Sequence, residues 1–357
     1  MFAKMGCLLS KLAFWRRPRH EELQEEQPKK YSWQKKKEGL RKEDFIIKDQ
    51  KDATLGRVPG TVNGQQFLVQ NCENCNIYIF DHSVTISIDD CNNCNFFLGP
   101  IKTSVFIRDC KNCKFVVSCQ QFRTRDCSKI DVFLCCNTQP SIEASSGMRF
   151  GCYQYHYPEL EAQFKAAGVT AFTNNWGNIH DFTQDPDEQH FSNLPEDSKV
   201  DDFVPIPLAE EFSKMNISLE VEKSVVPRTH GNRRKPSDES SLIVFFSDGN
   251  STQRAFSFIN IMRKNHPECV LIQTKEVTLQ PEDAQRVFNT AAYDNIVQQG
   301  PVIGLEFNGD DCIERCKTEA LNLMAGSIGL VFVSQSLTEA TKQIEDFYNF
   351  ADMQMAV

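Results

Sequence analysis

Three Cys-x-x-Cys pairs stand at regular distances along this chain: Cys72 with Cys75, Cys91 with Cys94, and Cys110 with Cys113. The flanking residues repeat with them, as NCENCNIYIFDHSVTISID, DCNNCNFFLGPIKTSVFIR and DCKNCKFVVSCQQFRTR, at intervals of 19, 19 and then 17 residues to Cys127. A period of that length, made of short β-branched and aromatic runs, marks the coil of a β-solenoid, in which one coil alone buries nothing and stacked coils share a core. Taken two at a time the pairs also fit a four-thiolate zinc template. Two features oppose zinc. The fourth repeat, DCSKIDVFLC, keeps Cys127 but carries Ile130 where the second thiol stood, an exchange that a packing position tolerates and a ligand position does not. Three pairs also present six thiols, which do not divide into one tetrahedral site. The cysteines are read as inward columns of an all-β parallel β-helix without a metal, and zinc as the alternative.

Strand alternation sorts the side chains by face. Aligned on the Asp-Cys that closes each coil, Val105 and Ile107 match Phe122 and Thr124 and are expected to point inward. Phe106 and Arg108 match Arg123 and Arg125 and are expected to point out, with Thr103 and Ser104 matching Gln120 and Gln121. In the next coil, QPSIEASS, Ile142 fits the inward column and Glu143 the outward one. Adjacent coils lie about 4.8 Å apart, so Arg123 and Glu143 are expected on one exposed face. On these residues alone the pair is a solvated ion pair.

Composition limits the wider function. The net charge of -9 gives no overall basic footprint for nucleic acid. No run of 18 apolar residues occurs, so no spanning helix is expected. The stretch from Leu8 to Phe14 is too short and mixed for a secretory signal, which makes the fifteen cysteines reduced thiols rather than disulfides.

The stretches NCENCNIYIFDHS, CQQFRTRDC, FLCCNTQPSIE and FGCYQYHYPEL closely resemble the tubulin-binding cofactor C family, and the likeness to one branch of it runs from Gly6 to Val357. The resemblance implies a right-handed parallel β-helix, in agreement with the repeat. It implies a GTPase-activating protein whose partner is an Arf-like small GTPase in its GTP form, the third Arf-like protein, with release of lipidated cargo at the cilium as the outcome. By position, Arg123 is then an arginine finger, Glu143 orients it, and Gln120, Gln121 and Phe122 shape the contact with nucleotide and partner. Thr103 and Ser104 occupy the pair that faces the nucleotide, whereas Arg125 keeps the solvated reading. The chain is expected to hold no cofactor of its own, since GTP and Mg belong to the partner, and to be a monomer. A scaffold that binds the GTP form without accelerating hydrolysis is the alternative.

The rest of the chain divides by composition. Residues 1–30 read as a flexible, lipid-anchored N-terminus and 31–183 as the β-helix domain. PELEAQFKAAG reads as a short helix stopped at Gly168, with Trp176, His180 and Phe182 capping the open end of the solenoid. Residues 184–239, with six prolines among acidic runs and a basic patch, read as a linker with partial order. From Ser240, strands and helices alternate, which argues an α/β, ferredoxin-like C-terminal domain over 240–357. FFSDGN and GPVIGLEFNG resemble the nucleoside diphosphate kinase fold. The domain is nevertheless read as degenerate, because Phe246 replaces the family's lysine and no histidine follows His266 to accept phosphate. Phe347, Phe350 and Met353 at helical spacing are expected to dock as core.

MFAKMGCLLSK opens the chain. If Met5 is the functional start, Gly6 and Ser10 fit the N-myristoylation pattern. One myristoyl chain anchors only marginally, so a second signal is expected, with Cys7 as the palmitate acceptor and Lys11, Arg16, Arg17 and Arg19 drawn to anionic lipid. This predicts a site of action on the cytoplasmic face of the plasma membrane, near the cilium and basal body.

Overall fold

The computed structural model describes residues 41–325 and 328–355, so the expected acylation sites Gly6 and Cys7 lie outside the described residues. No described helix is long and apolar enough to cross a membrane. The repeat folds as a parallel β-helix. The strand Asn95–Arg108 pairs in parallel with Lys114–Arg125, which pairs through its first half with Ser128–Cys136 and through its second with Ser141–Glu143. The alignment of the coils is the expected one, with Val105 beside Phe122, Phe106 beside Arg123 and Ile107 beside Thr124.

The corners explain the motif. Asn71, Asn74, Asp90, Asn93, Asp109, Asn112, Asp126 and Lys129 all take φ of 53–56°, and each immediately precedes a cysteine of the repeat or Ile130. Left-handed backbone is costly for residues with a Cβ except Asn and Asp, whose short polar side chains bond locally. Those side chains also form ladders between coils, such as Asn93 Nδ2 to Asn74 Oδ1 at 2.7 Å and Asn74 Nδ2 to Asp52 Oδ1 at 2.9 Å. Each following thiol turns inward and donates to the carbonyl two residues before it, at 3.2–3.5 Å. Cysteine thus serves as a small buried group with a weak donor, and burial pushes the Cys72 thiol up to about 11. The fourteen described cysteines are free.

Residues 184–239 differ from the expected linker. Phe191–Asn193 adds a strand to Met148–Phe150. Val200, Val204, Phe212, Met215 and Val226 are buried with Tyr78, Phe80 and Phe97 of the solenoid and with Leu160 and Phe164 of the helix Leu160–Ala167. The segment is a strap over an outward aromatic face; proline and acidic residues dominate its composition, yet apolar anchors recur every few residues. Trp176 does seal the solenoid core, with its Nε1 donating to Thr229 Oγ1 at 2.8 Å. His180 and Phe182 do not cap. They continue the outer coil face, His180–Asp181 pairing in parallel with Ser141 and Ile142.

The C-terminal domain is a four-stranded antiparallel sheet in the order Val270–Val277, Val302–Asn308, Ser240–Phe245, Val331–Val333. Counting strands along the chain, that is 2-3-1-4, the ferredoxin-like arrangement. Helices Ser251–Asn265 and Cys312–Leu323 bury Phe258, Met262, Cys312 and Cys316 on one sheet face, while Pro281–Phe288 and Leu337–Met355 bury Phe288 and Phe347 on the other. Gly304 has no Cβ because one would lie 2.2 Å from the Phe347 ring. Phe347 docks as expected and Phe350 partly, whereas Met353 stays exposed at 59%. The sheet joins the solenoid through Thr274 Oγ1, which donates to the Phe172 carbonyl at 2.5 Å, and Lys275 Nζ, which donates to Asn175 Oδ1 at 2.5 Å.

Candidate functional site

Arg123 lies near the end of the strand Lys114–Arg125, between Phe106 of the preceding coil and Ser141 of the next. Its neighbours Phe122 and Thr124 point into the core, so alternation leaves the guanidinium no direction but outward. Nη2 donates to Gln121 Oε1 at 2.8 Å, and the group lies 5.9 Å from the centre of the Phe106 ring. The same Gln121 oxygen accepts from Ser104 Oγ at 2.9 Å. A three-member chain, Ser104 to Gln121 to Arg123, therefore holds one edge of the guanidinium across two coils. Among the described residues no carboxylate pairs with Arg123, which leaves most of its five donors free for another molecule.

Glu143 is not its partner in this structure. The register sets Glu143 beside Arg125, one alternation step along from Ser141, and its side chain makes no ion pair among the described residues. Arg125 turns instead to Asp126 at 3.2 Å and stays exposed, as a solvated residue does. Phe122 points inward as alternation requires: it is fully buried, its ring edge-on to Phe150 at 5.9 Å, and it shapes the contact only by supporting the strand from inside. Gln120 accepts through its carbonyl from Thr138 Oγ1 at 2.8 Å. Thr103 Oγ1 donates to the Val84 carbonyl at 2.6 Å and lies 2.7 Å from Thr85 Oγ1, so it belongs to a neighbouring ladder and not to the Gln121 chain.

Beside Arg123 is a shallow recess of about 230 Å³ walled by Gln121, Thr138, Gln139, Ser141, His180 and Phe182. Phe182 is 66% exposed, although its ring packs edge-on against His180 at 4.4 Å. A large exposed ring next to an unpaired guanidinium is the makeup of a protein contact. Sequence reasoning missed it by assigning Phe182 to the cap; the available signal was that IHDF continues the coil after SIE. The segment is held in place by Asp181, whose carboxylate meets His190 Nδ1 at 2.7 Å and the Thr183 N–H at 2.9 Å. Burial pushes the Asp181 carboxyl up, but these donors outweigh it and hold it below its ordinary value.

In the C-terminal domain Phe246 is buried and stacks on Tyr293 at 4.9 Å. His266 ends its helix with Nε2 3.1 Å from Glu319 Oε1.

The family model described as Tubulin binding cofactor C matches residues 64–182, the solenoid from its first cysteine-bearing coil through Phe182. Protein XRP2 of Xenopus laevis is 52% identical over 99% of this chain and 100% of its own length. Protein XRP2 of Homo sapiens is 52% identical with the same coverage. The crystal structure of a nucleoside diphosphate kinase from Encephalitozoon cuniculi aligns at 14% identity and a TM-score of 0.26, over 30% of this chain and 88% of that one. With near-complete coverage at this identity, the chain belongs to the XRP2 family, with a tubulin-binding-cofactor-C β-helix followed by a ferredoxin-like domain.

Proposed function

We propose that this protein is a GTPase-activating protein for an Arf-like small GTPase, the third Arf-like protein, to which it supplies Arg123 in trans. The observation that carries this reading is the posture of Arg123. It stands on a stacked parallel sheet, is held through its guanidinium Nη2 by Gln121, which Ser104 supports in turn, and has no carboxylate partner among the described residues. A guanidinium so placed suits the charge that spreads over the transferred phosphoryl oxygens, and an arginine supplied in trans accelerates hydrolysis about 10³- to 10⁵-fold. That corresponds to about 4 to 7 kcal/mol of barrier. GTP and Mg sit in the partner, and Phe182 with the recess beside it grips the partner surface. The protein is thus no enzyme by itself but completes another protein's active site.

In this reading Gln121 takes the orienting role in the free protein. Glu143 engages the arginine only after it extends into the partner. Acyl chains on Gly6 and Cys7 hold the protein at the membrane where the GTPase releases lipidated cargo for the cilium. The second reading, an effector that binds the GTP form without changing its lifetime, draws on the exposed Phe182, because an aromatic contact alone supplies affinity. A panel of small GTPases locked in the GTP form, captured on the immobilised protein and followed by hydrolysis rates for each one bound, separates the two. Selective capture of an Arf-like member together with a faster rate supports activation; capture without a rate change leaves the effector; no GTP-dependent capture of any member refutes both.

A further inference from the structure

Away from the Arg123 face, the solenoid strand Ser146–Cys152, the strap and the C-terminal domain line an open cavity of about 180 Å³. Leu194, Ile259, Leu271 and Phe307 give it an apolar wall. Its charged lining is one-sided, with Arg228, Arg233 and Arg263 against the single carboxylate of Glu196.

These arginines are poorly neutralised. Arg233 is committed to structure: Nη1 donates to the His230 carbonyl at 3.0 Å, Nη2 to the Leu194 carbonyl at 2.6 Å, and the group stacks over Trp176 at 4.9 Å. Arg228 donates through Nη2 to the carbonyl of Glu196, whose carboxylate is taken up by His230 Nδ1 at 3.3 Å. Arg263 donates through Nη1 to Asn260 Oδ1 at 3.0 Å and has Glu222 only at 4.0 Å. Among the described residues, Nε and Nη1 of Arg228 and Nε and Nη2 of Arg263 have no acceptor. Burial holds Arg233 and Arg263 below the ordinary guanidinium range, and the charge of Arg228 presses both the same way. Half-buried like charges with unused donors around a cavity are stabilised by a bound anion that meets those donors.

We propose that this cavity binds a small anion bearing a phosphate group, either inorganic phosphate or a phosphomonoester with a compact apolar body. Phosphate presents several oxygens at the geometry of guanidinium forks, so Arg263 engages it through its Nε and Nη2 pair while Arg228 adds a donor from Nη1. The volume admits a phosphate with a ring or short chain, since a cavity of about 150 Å³ holds benzene, and it excludes a peptide or nucleic acid. The apolar wall favours the esterified form. Bound there, the anion ties strap and C-terminal domain together, at a site separate from the Arg123 recess.

Calorimetric titration of the full chain at constant ionic strength tests this, with inorganic phosphate, phenyl phosphate, sulfate and chloride as separate arms. The expected result is saturable one-site binding of phosphate or phenyl phosphate, with chloride silent and sulfate weaker. Tighter binding of phenyl phosphate assigns a phosphomonoester, and tighter binding of inorganic phosphate assigns the free ion. Arg228→Gln is expected to weaken binding about tenfold or more and to abolish the rise in unfolding temperature that phosphate gives the parent. Arg228→Lys, which keeps the charge but not the fork, is expected to fall between. Arg263→Gln, at a side chain 32% exposed on a helix, repeats the test should Arg228→Gln fail to fold. Equal heats for all anions, an adventitious ion only, or undiminished binding in folded Arg228→Gln or Arg263→Gln overturns the proposal.

Discussion

Replacing Gln121 by alanine tests whether the arginine is held ready or merely exposed. The substitution removes the oxygen that accepts from Arg123 Nη2 at 2.8 Å and from Ser104 Oγ at 2.9 Å. A hydrogen bond to a charged group contributes about 1.5–3 kcal/mol, and solvent screening on this open strand reduces that to about 1–2 kcal/mol. If that energy orients Arg123 for the transition state, its loss slows activated hydrolysis by about 5- to 30-fold. Fold stability changes little, because the residue is half-buried and only the Ser104 hydroxyl, 8% exposed, is left without its acceptor. Single-turnover hydrolysis at saturating Gln121→Ala measures the rate, and equilibrium binding to the GTP-locked partner measures affinity. The expected pattern is a slower rate at nearly unchanged affinity. A parental rate, or a loss wholly in affinity, would refute the orienting role.

Three further outcomes follow from the geometry. Phe182→Ala is expected to weaken binding of the GTP-form partner by about 1–2 kcal/mol and to leave the unfolding midpoint unmoved, because the ring is 66% exposed; paired binding and denaturation curves check both. Trp176→Ala is expected to cost about 3–5 kcal/mol in chemical denaturation, since the ring seals the solenoid core at 1% exposure. Because Asp181 is held below its ordinary value of 3.8 in the folded protein, it contributes stability above that pH that is lost as pH falls through the lower folded value; Asp181→Asn is expected to flatten that part of the acid-unfolding curve, which circular dichroism across pH 2–5 reads.

Much of the solenoid was legible because each coil repeats one physical solution. The Asn or Asp before each cysteine supplies a left-handed corner, and Ile130 beneath Cys113 showed that the column packs rather than ligates. The same logic failed where the corners persist without thiols. Asp49 and Asp52 make the turns of an earlier coil, but Gln50 and Ala53 stand at the cysteine positions, so an alignment keyed on sulfur begins one coil late. The strap was hidden by composition, since Phe212 and Met215 bury themselves from a run otherwise acidic and proline-rich. At the site, alternation correctly sent Arg123 outward. It could not set the register that puts Glu143 beside Arg125, because Arg123 to Ser141 skips a corner loop whose length decides the alignment. The ferredoxin-like class of the C-terminal domain was expected from the alternation of elements, while its antiparallel pairing and its close docking through Phe172 and Thr274 rest on contacts between segments far apart in the chain.

The central claim is that Arg123 acts on a nucleotide held by another protein, and single-turnover GTP hydrolysis by the captured Arf-like partner tests it most directly. The parent is expected to accelerate the reaction about 10³- to 10⁵-fold. Arg123→Ala should lose nearly all of that while still binding the GTP form, and Arg123→Lys should recover little, because an ammonium lacks the planar fork. Acceleration by Arg123→Ala equal to that of the parent would contradict the account.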